Sequence, residues 1–332
     1  MSDVDRINST LSQFEAGLRD SLDTPSRIRG WVSDQLFGLI SADLGGCQLV
    51  KQEDAGVLFH ESEVKLPDWR LALSSGESIL VEVKSVDDAT PRDARLRRSE
   101  VARLKRYVEL DGTPLYVAVH WVALSLWTLV PLEDFAHVGE HFEIPLEIAF
   151  KRDHMGSLLK DRMLGLIPPL ICKMTLEEGE EESSPPPAGT TKADSSQVSL
   201  VVRRVQLFGG GQEMVDDQEK ALVWFLIRHA SWPVEEVLDD VGDGTWEVVF
   251  TMAPEDVPAG QGFAVVGRLS ELYTRMFASS TTPLDGEGTT QLTVDVEPGT
   301  LPRLVPTDLR SDRLPLWHLT LQPAESTSRT AQ

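Results

Sequence analysis

The sequence predicts an α/β fold: an α-β-β-β-α-β core, followed by a linker and a smaller α+β domain. Three observations predict it. Apolar residues recur at helical spacing over 26–44 and 92–110, with short strand-like runs between and after them. A segment at 177–197, EEGEEESSPPPAGTTKADSSQ, is nearly devoid of hydrophobic residues. Strand-like and helix-like stretches resume beyond it. A length of 332 residues suits about two domains. The expected division is therefore 1–176, a flexible linker at 177–197, a second domain at 198–324 and a tail at 325–332. The linker cannot bury enough apolar surface to offset its ordering entropy.

The elements follow in order. Val4, Ile7, Leu11, Phe14, Leu18 and Leu22 predict a helix over 4–22. Thr24-Pro25-Ser26 breaks it and caps a second helix over 26–44, whose stripe is Ile28, Trp31, Val32, Leu36, Leu39 and Ile40. Gly45-Gly46 stops that helix. Strands are predicted at 47–52, 57–64, 68–73 and 78–84. Ser74-Ser75-Gly76-Glu77 joins the last two as a hairpin. A helix over 92–110 ends at Asp111-Gly112. Strands Leu115–Trp121 and Trp127–Pro131 follow, then a helix or turn from Leu132. In the second domain, strands are predicted at 198–207, 245–252, 291–296 and 315–322, and helices at 216–230 and 266–278.

Composition narrows the function classes. Hydrophobic residues make up 41% and charged residues 25%, which excludes a collagen-like or wholly disordered chain. No apolar run reaches the roughly 18 residues that span a bilayer. The start, MSDVDRINST, lacks a basic-then-apolar leader, so a cytoplasmic protein is expected. Two cysteines, Cys47 and Cys172, are too few for a disulfide framework. The 31 Lys and Arg against 53 Asp and Glu give a net charge of −22, which argues against a general nucleic-acid binder. That charge is uneven. Residues 1–172 carry −8 and the remainder −14.

The chemistry concentrates in PDWRLALSSGESILVEVK, residues 67–84. Strand side chains alternate, so Glu82 and Lys84 share a face while Val83 points to the core. The hairpin can set Asp68 beside Glu82. Two carboxylates at one point suit Mg²⁺, which keeps waters and recruits phosphate oxygens. A neighbouring lysine can orient or deprotonate an attacking water and stabilise negative charge. Metal-assisted phosphodiester hydrolysis needs these groups. The plainer alternative is a solvated hairpin with a surface ion pair worth under about 1 kcal/mol. The flanks Ile79, Leu80, Val81 and Val83 are those of a buried strand, where Glu82 and Lys84 need a partner or a purpose.

Pro67-Asp68, a spacer of 13 residues and Glu82-Val83-Lys84 together resemble the PD-(D/E)xK signature of the restriction-endonuclease-like nuclease superfamily. The resemblance covers roughly 26–135 and implies the family's α-β-β-β-α-β core. The resolvase-like branch carries G-x-x-x-E on the helix before the first strand. Gly30-Trp31-Val32-Ser33-Asp34 matches it with Asp for Glu, a shorter reach. Ser85 is the small polar residue that often follows the lysine. The resemblance implies a Mg²⁺- or Mn²⁺-dependent endonuclease, with Asp68 and Glu82 on the metal and Lys84 and Asp34 completing the catalytic set. DNA is the favoured substrate over RNA. Restriction, anti-phage defence and DNA repair or recombination are the implied settings. The rival from another class is a non-catalytic binding or regulatory protein that kept the fold.

The 92–110 segment adds a second line. On one helix, Arg92, Arg95, Arg103 and Arg106 would fall within about 80° of one another and hold phosphates by bidentate contacts. A solvated charged face is the commoner origin of such a run. His137-Val138-Gly139-Glu140-His141 matches the inverted zinc motif H-x-x-E-H, but Gly139 and Pro145 oppose a helix there. Gly209-Gly210-Gly211 precedes a helix without a phosphate-loop pattern and reads as a turn. The second domain's role stays open between substrate selection, a homodimer and a protein partner.

Overall fold

A computed structural model describes residues 25–54, 63–88, 93–178, 200–281 and 299–324. The helix expected at 4–22, most of the strand at 57–64, the strand at 291–296, the linker beyond Glu178, Arg92 and the tail lie outside those residues. The chain is a mixed α/β protein with several sheets. It divides into two compact units, one of 1–163, 267–307 and 318–332, the other of 164–266 and 308–317.

In the first unit, α1 (Pro25–Asp43) starts on a proline, whose fixed φ suits the first helical turn, and runs into Gly45 at φ 80°. Strands β1 (Cys47–Gln52), β2 (Trp69–Leu73) and β3 (Ser78–Val86) form an antiparallel run. β4 (Asp93–Arg97) and α2 (Arg98–Asp111) then carry the chain over to β5 (Leu115–Trp121), which pairs parallel with β3. A parallel pair requires such a crossover. β6 (Leu126–Pro131) pairs antiparallel with β5, giving the sheet order β1-β2-β3-β5-β6. The hairpin β7 (Ala136–Val138) and β8 (His141–Pro145) pairs with β4. Short helices α3 (Leu146–Lys151) and α4 (Met155–Leu159) follow.

The helix expected over 92–110 is shortened by this pairing. Over 93–97 the buried residues are Ala94 and Leu96, a period of two, and each is matched across β8 by Ile144 and Phe142. The arginines between them supply helix propensity, but strand pairing decides the conformation. α2 begins only at Arg98 and ends at Gly112, whose φ of 78° lets its N–H bond the Val108 carbonyl at 2.8 Å.

Two faces of the central sheet are buried. Leu80 and Val86 of β3 and Val117, Val119 and Trp121 of β5 pack with Val101 and Leu104 of α2. On the other face, Leu36, Phe37 and Ile40 of α1 are buried, with the Phe37 ring 5.5 Å from Trp127. A Cβ on Gly38 would sit 2.4 Å from the Trp69 ring, so glycine is what lets α1 lie this close to β2.

In the second unit, β9 (Met163–Leu166) leads to β10 (Leu170–Glu178), β11 (Leu200–Gly209) and β12 (Gln212–Glu213). Glu177 and Glu178 thus extend a strand rather than begin a linker. Helix α5 (Asp217–His229) is capped by Asp216, whose carboxylate accepts from Gln218 N at 2.9 Å and Glu219 N at 3.3 Å. β13 (Val234–Gly242) and β14 (Thr245–Met252) complete the order β12-β11-β10-β14-β13, and α5 packs on β10 and β11. Gly210 and Gly211, at φ 57° and 81°, turn β11 into β12, as a two-residue hairpin requires.

After β15 (Ala264–Arg268), helix α6 (Leu269–Thr281) belongs to the first unit, although it lies in the stretch expected to form the second domain. Leu272, Tyr273 and Phe277 are buried there, and Trp127 Nε1 donates to Thr274 Oγ1 at 3.0 Å. An apolar stripe states that a helix needs a surface, not which surface.

Candidate active site

The register Trp69↔Val81 leads, one step earlier, to Asp68 beside Glu82. Asp68 replaces a ladder bond with its side chain: its Oδ2 accepts from Val83 N at 2.6 Å. Glu82 alternates with Val81 and Val83, and so faces the α2 side of the sheet with Lys84. There it is fully buried. Its Oε1 accepts from Lys84 Nζ at 2.6 Å and also from Lys65 Nζ. Glu100, in the first turn of α2, accepts from the same two ammoniums, at 2.6 Å from Lys65 and 2.9 Å from Lys84. Two lysines and two glutamates therefore close a ring. Among the described residues Glu82 Oε2 has no hydrogen-bond partner.

The electrostatics follow from crowding. Burial pushes the Asp68 carboxyl up to about 8, and the Glu82 charge adds to this against the bond from Val83 N. Burial also resists ionisation of Glu100, but the charge of Lys84 and the bonds from Lys65 and Lys84 outweigh it and hold that carboxyl at about 2. Burial would favour neutral Lys84, yet Glu82 and Glu100 override it and fix the ammonium. Lys84 is thus held as an ammonium in this state, with no lone pair to accept a proton.

Asp34 sits on α1, against the opposite face of the sheet. Its Oδ1 accepts from Trp69 Nε1 at 2.5 Å, and burial raises it to about 6. Its charge still acts on Asp68. Asp34 therefore contributes field and anchors Trp69.

The four arginines do not form one helical face. Arg95 lies on β4, where its Nε meets Glu143 Oε1 at 3.1 Å. Arg103 and Arg106 are on α2, and Arg92 lies outside the described residues. Arg103 Nε lies 3.4 Å from the Ser99 carbonyl and Arg106 pairs with Glu109 at 3.1 Å. The structure instead opens a cleft of about 490 Å³ lined by Arg97, Arg98, Ser99, Ala102, Glu140 and His141. Its floor is the first turn of α2, the turn that delivers Glu100 to the lysines. Sequence reasoning missed Lys65 and Glu100 because their partners are 17 and 16 residues away. Glu100 becomes an acidic residue of a first helical turn only because strand pairing over 93–97 moves the start of α2 to Arg98; the helix expected over 92–110 placed it mid-helix.

Two histidine sites resolve as structure. His137 and His141 stand on β7 and β8 of a hairpin, not on one helix face, which removes the zinc reading. His120 on β5 is stacked at 4.4 Å on Trp127 and shares a 2.9 Å bond with Ser33. Burial pushes it down to about 4, so it is a neutral core group.

A pH dependence follows. Between an unfolded value near 3.8 and a folded value of about 8, Asp68 binds more proton in the folded state, so stability falls as pH rises through that window. Asp34 acts in the same direction up to about 6. Thermal melts without metal should show Tm declining from pH 5 to 8, with Asp68→Asn flattening the slope. An equal slope in the variant would show that Asp68 is not the titrating group.

Among the described residues no cluster of three or more His, Cys, Asp or Glu side chains is gathered to hold a metal ion, and no helix is long and apolar enough to cross a membrane. Neither a family model nor a curated protein matches the chain. Among solved structures, a Holliday junction resolvase, Hjc, from Archaeoglobus fulgidus is similar over 34% of this chain and 87% of its own, at 20% identity and a TM-score of 0.25.

Proposed function

We propose that the first unit has a restriction-endonuclease-like core and is a metal-dependent nuclease hydrolysing phosphodiester bonds, with DNA favoured over RNA. The observation that carries this reading is Glu82. A fully buried carboxylate on a central strand, with an orphaned oxygen and beside a second carboxyl whose pKa burial raises, is a costly arrangement for structure alone. Asp68 and Glu82 fit a hard divalent cation: both offer oxygen donors, and Glu82 Oε2 has no hydrogen-bond partner among the described residues. Mg²⁺ or Mn²⁺ held there would polarise a phosphate oxygen and neutralise developing charge. Lys84, fixed as an ammonium, would hold a non-bridging phosphate oxygen. Asp34 would tune Asp68 through its charge. Arg97 and Arg98 would seat the flanking phosphates in their cleft.

The closed lysine–glutamate ring favours a second reading, a nuclease fold kept for binding. Incubation with varied DNA and RNA substrates and Mg²⁺ or Mn²⁺ separates the two. Metal-dependent cleavage supports the enzyme, whereas tight binding without cleavage supports the rival. For the cleft, Arg97→Glu/Arg98→Glu should weaken DNA binding about tenfold or more at low salt and reduce the slope of log K against log salt by about 2. An unchanged slope would remove these arginines from the interface.

A further inference from the structure

We propose that Lys65 is a built-in counter-cation that occupies the metal-facing carboxylate of the candidate site and must leave Glu82 before a divalent ion binds. This rests on the metal-dependent reading above and concerns how that site is controlled.

Lys65 and Lys84 touch the same oxygen of Glu82 but are held differently. Lys84 grows from the centre of β3, paired across to Val119 of β5, so its backbone cannot withdraw. Lys65 lies in the irregular stretch 63–67, tied to α2 by one backbone bond, Lys65 N to the Arg103 carbonyl at 3.3 Å. Its side chain is 29% exposed, so an outward path to water exists. Charge supplies the reason for its position. Lys65 and Lys84 each contact both Glu82 and Glu100, so the ring sets two ammoniums against two carboxylates. A divalent ion at Glu82 adds positive charge to a ring that is already balanced, and departure of Lys65 from Glu82 offsets part of it. The lysine that leaves is the one whose backbone is not in the sheet. A cation at Glu82 and the Lys65 ammonium repel each other at contact range in a half-buried site, so the two states exclude one another.

The test is Mn²⁺ binding, measured by calorimetry and by loss of the free Mn²⁺ spin-resonance signal, on the full chain at pH 7.5. Lys65→Met should bind Mn²⁺ at least about tenfold more tightly than wild type, because a competing positive charge is gone. It should also melt at lower temperature without metal and recover more of its Tm when Mn²⁺ is added. Lys65→Gln, which keeps a donor without the charge, should show the same gain in affinity and serves if the methionine variant folds poorly. Asp68→Asn in the Lys65→Met background should erase the gain, which locates binding at this site. Equal or weaker binding by both Lys65 variants would overturn the proposal while leaving the metal site standing. No Mn²⁺ binding by any protein would overturn the metal-dependent reading and this inference with it.

Discussion

Asp68→Asn is expected to lower metal-dependent cleavage by about 10²–10⁴-fold while leaving the protein folded. Asparagine preserves the acceptor that meets Val83 N at 2.6 Å, so the hairpin register survives. What it removes is a charge. With Asp68 neutral at every pH, the site presents Glu82 and no second anionic oxygen to a cation. The same substitution relieves like-charge crowding with Glu82, so the metal-free variant should be as stable as wild type or more so above pH 7. Loss of cleavage with gain of stability is the combination that a purely structural Asp68 would not give. Lys84→Met should lose activity to a similar degree, but at a stability cost, because Glu82 and Glu100 then share only Lys65. Gel cleavage assays read the first effect and thermal melts the second. Full activity in both variants would refute the site.

The second large effect is on stability. Asp153→Ala should destabilise the protein by about 3–5 kcal/mol, because it takes the nearer carboxylate from a buried guanidinium and leaves it only Asp161 at 4.0 Å. Arg268 Nη2 meets Asp153 Oδ2 at 2.7 Å, with side-chain exposures of 6% and 1%. Asp153 Oδ1 also accepts from Leu129 N and Met155 N, both at 2.9 Å, so the substitution uncaps two buried backbone donors as well. Arg268 gives a second bond to the Trp127 carbonyl at 3.1 Å, which fixes the start of α6 against β6. Urea denaturation measures the cost. The double variant Asp153→Leu/Arg268→Met should recover part of it, since a buried pair replaced by apolar groups is less costly than half of one. A loss under about 1 kcal/mol for Asp153→Ala would show that water reaches the guanidinium.

Some of this protein was legible before any fold was known. The limits of β5 and β14 are readable from short apolar runs between breakers, because such runs have one conformation that buries them. Gly112 marks the end of α2 for a local reason, a left-handed cap that other residues resist. Asp68, Glu82 and Lys84 were nominated by spacing, since a hairpin of two strands with known alternation leaves little freedom in which side chains face each other. The strand at 93–97 was not legible. Its two inward residues, Ala94 and Leu96, make too short an alternation, and its partner β8 lies some 45 residues later.

The sequence by itself determined where the β2–β3 hairpin, β5 and β14 form and which carboxylates could meet across that hairpin, because these depend on local geometry and side-chain periodicity. Only the tertiary structure decided that Lys65 and Glu100 close the ring around Glu82, that the arginines split between a strand and a helix, and that α6 serves the first unit. Each of these depends on contacts between residues far apart in the chain, where burial and charge neutralisation, not local propensity, select the partner.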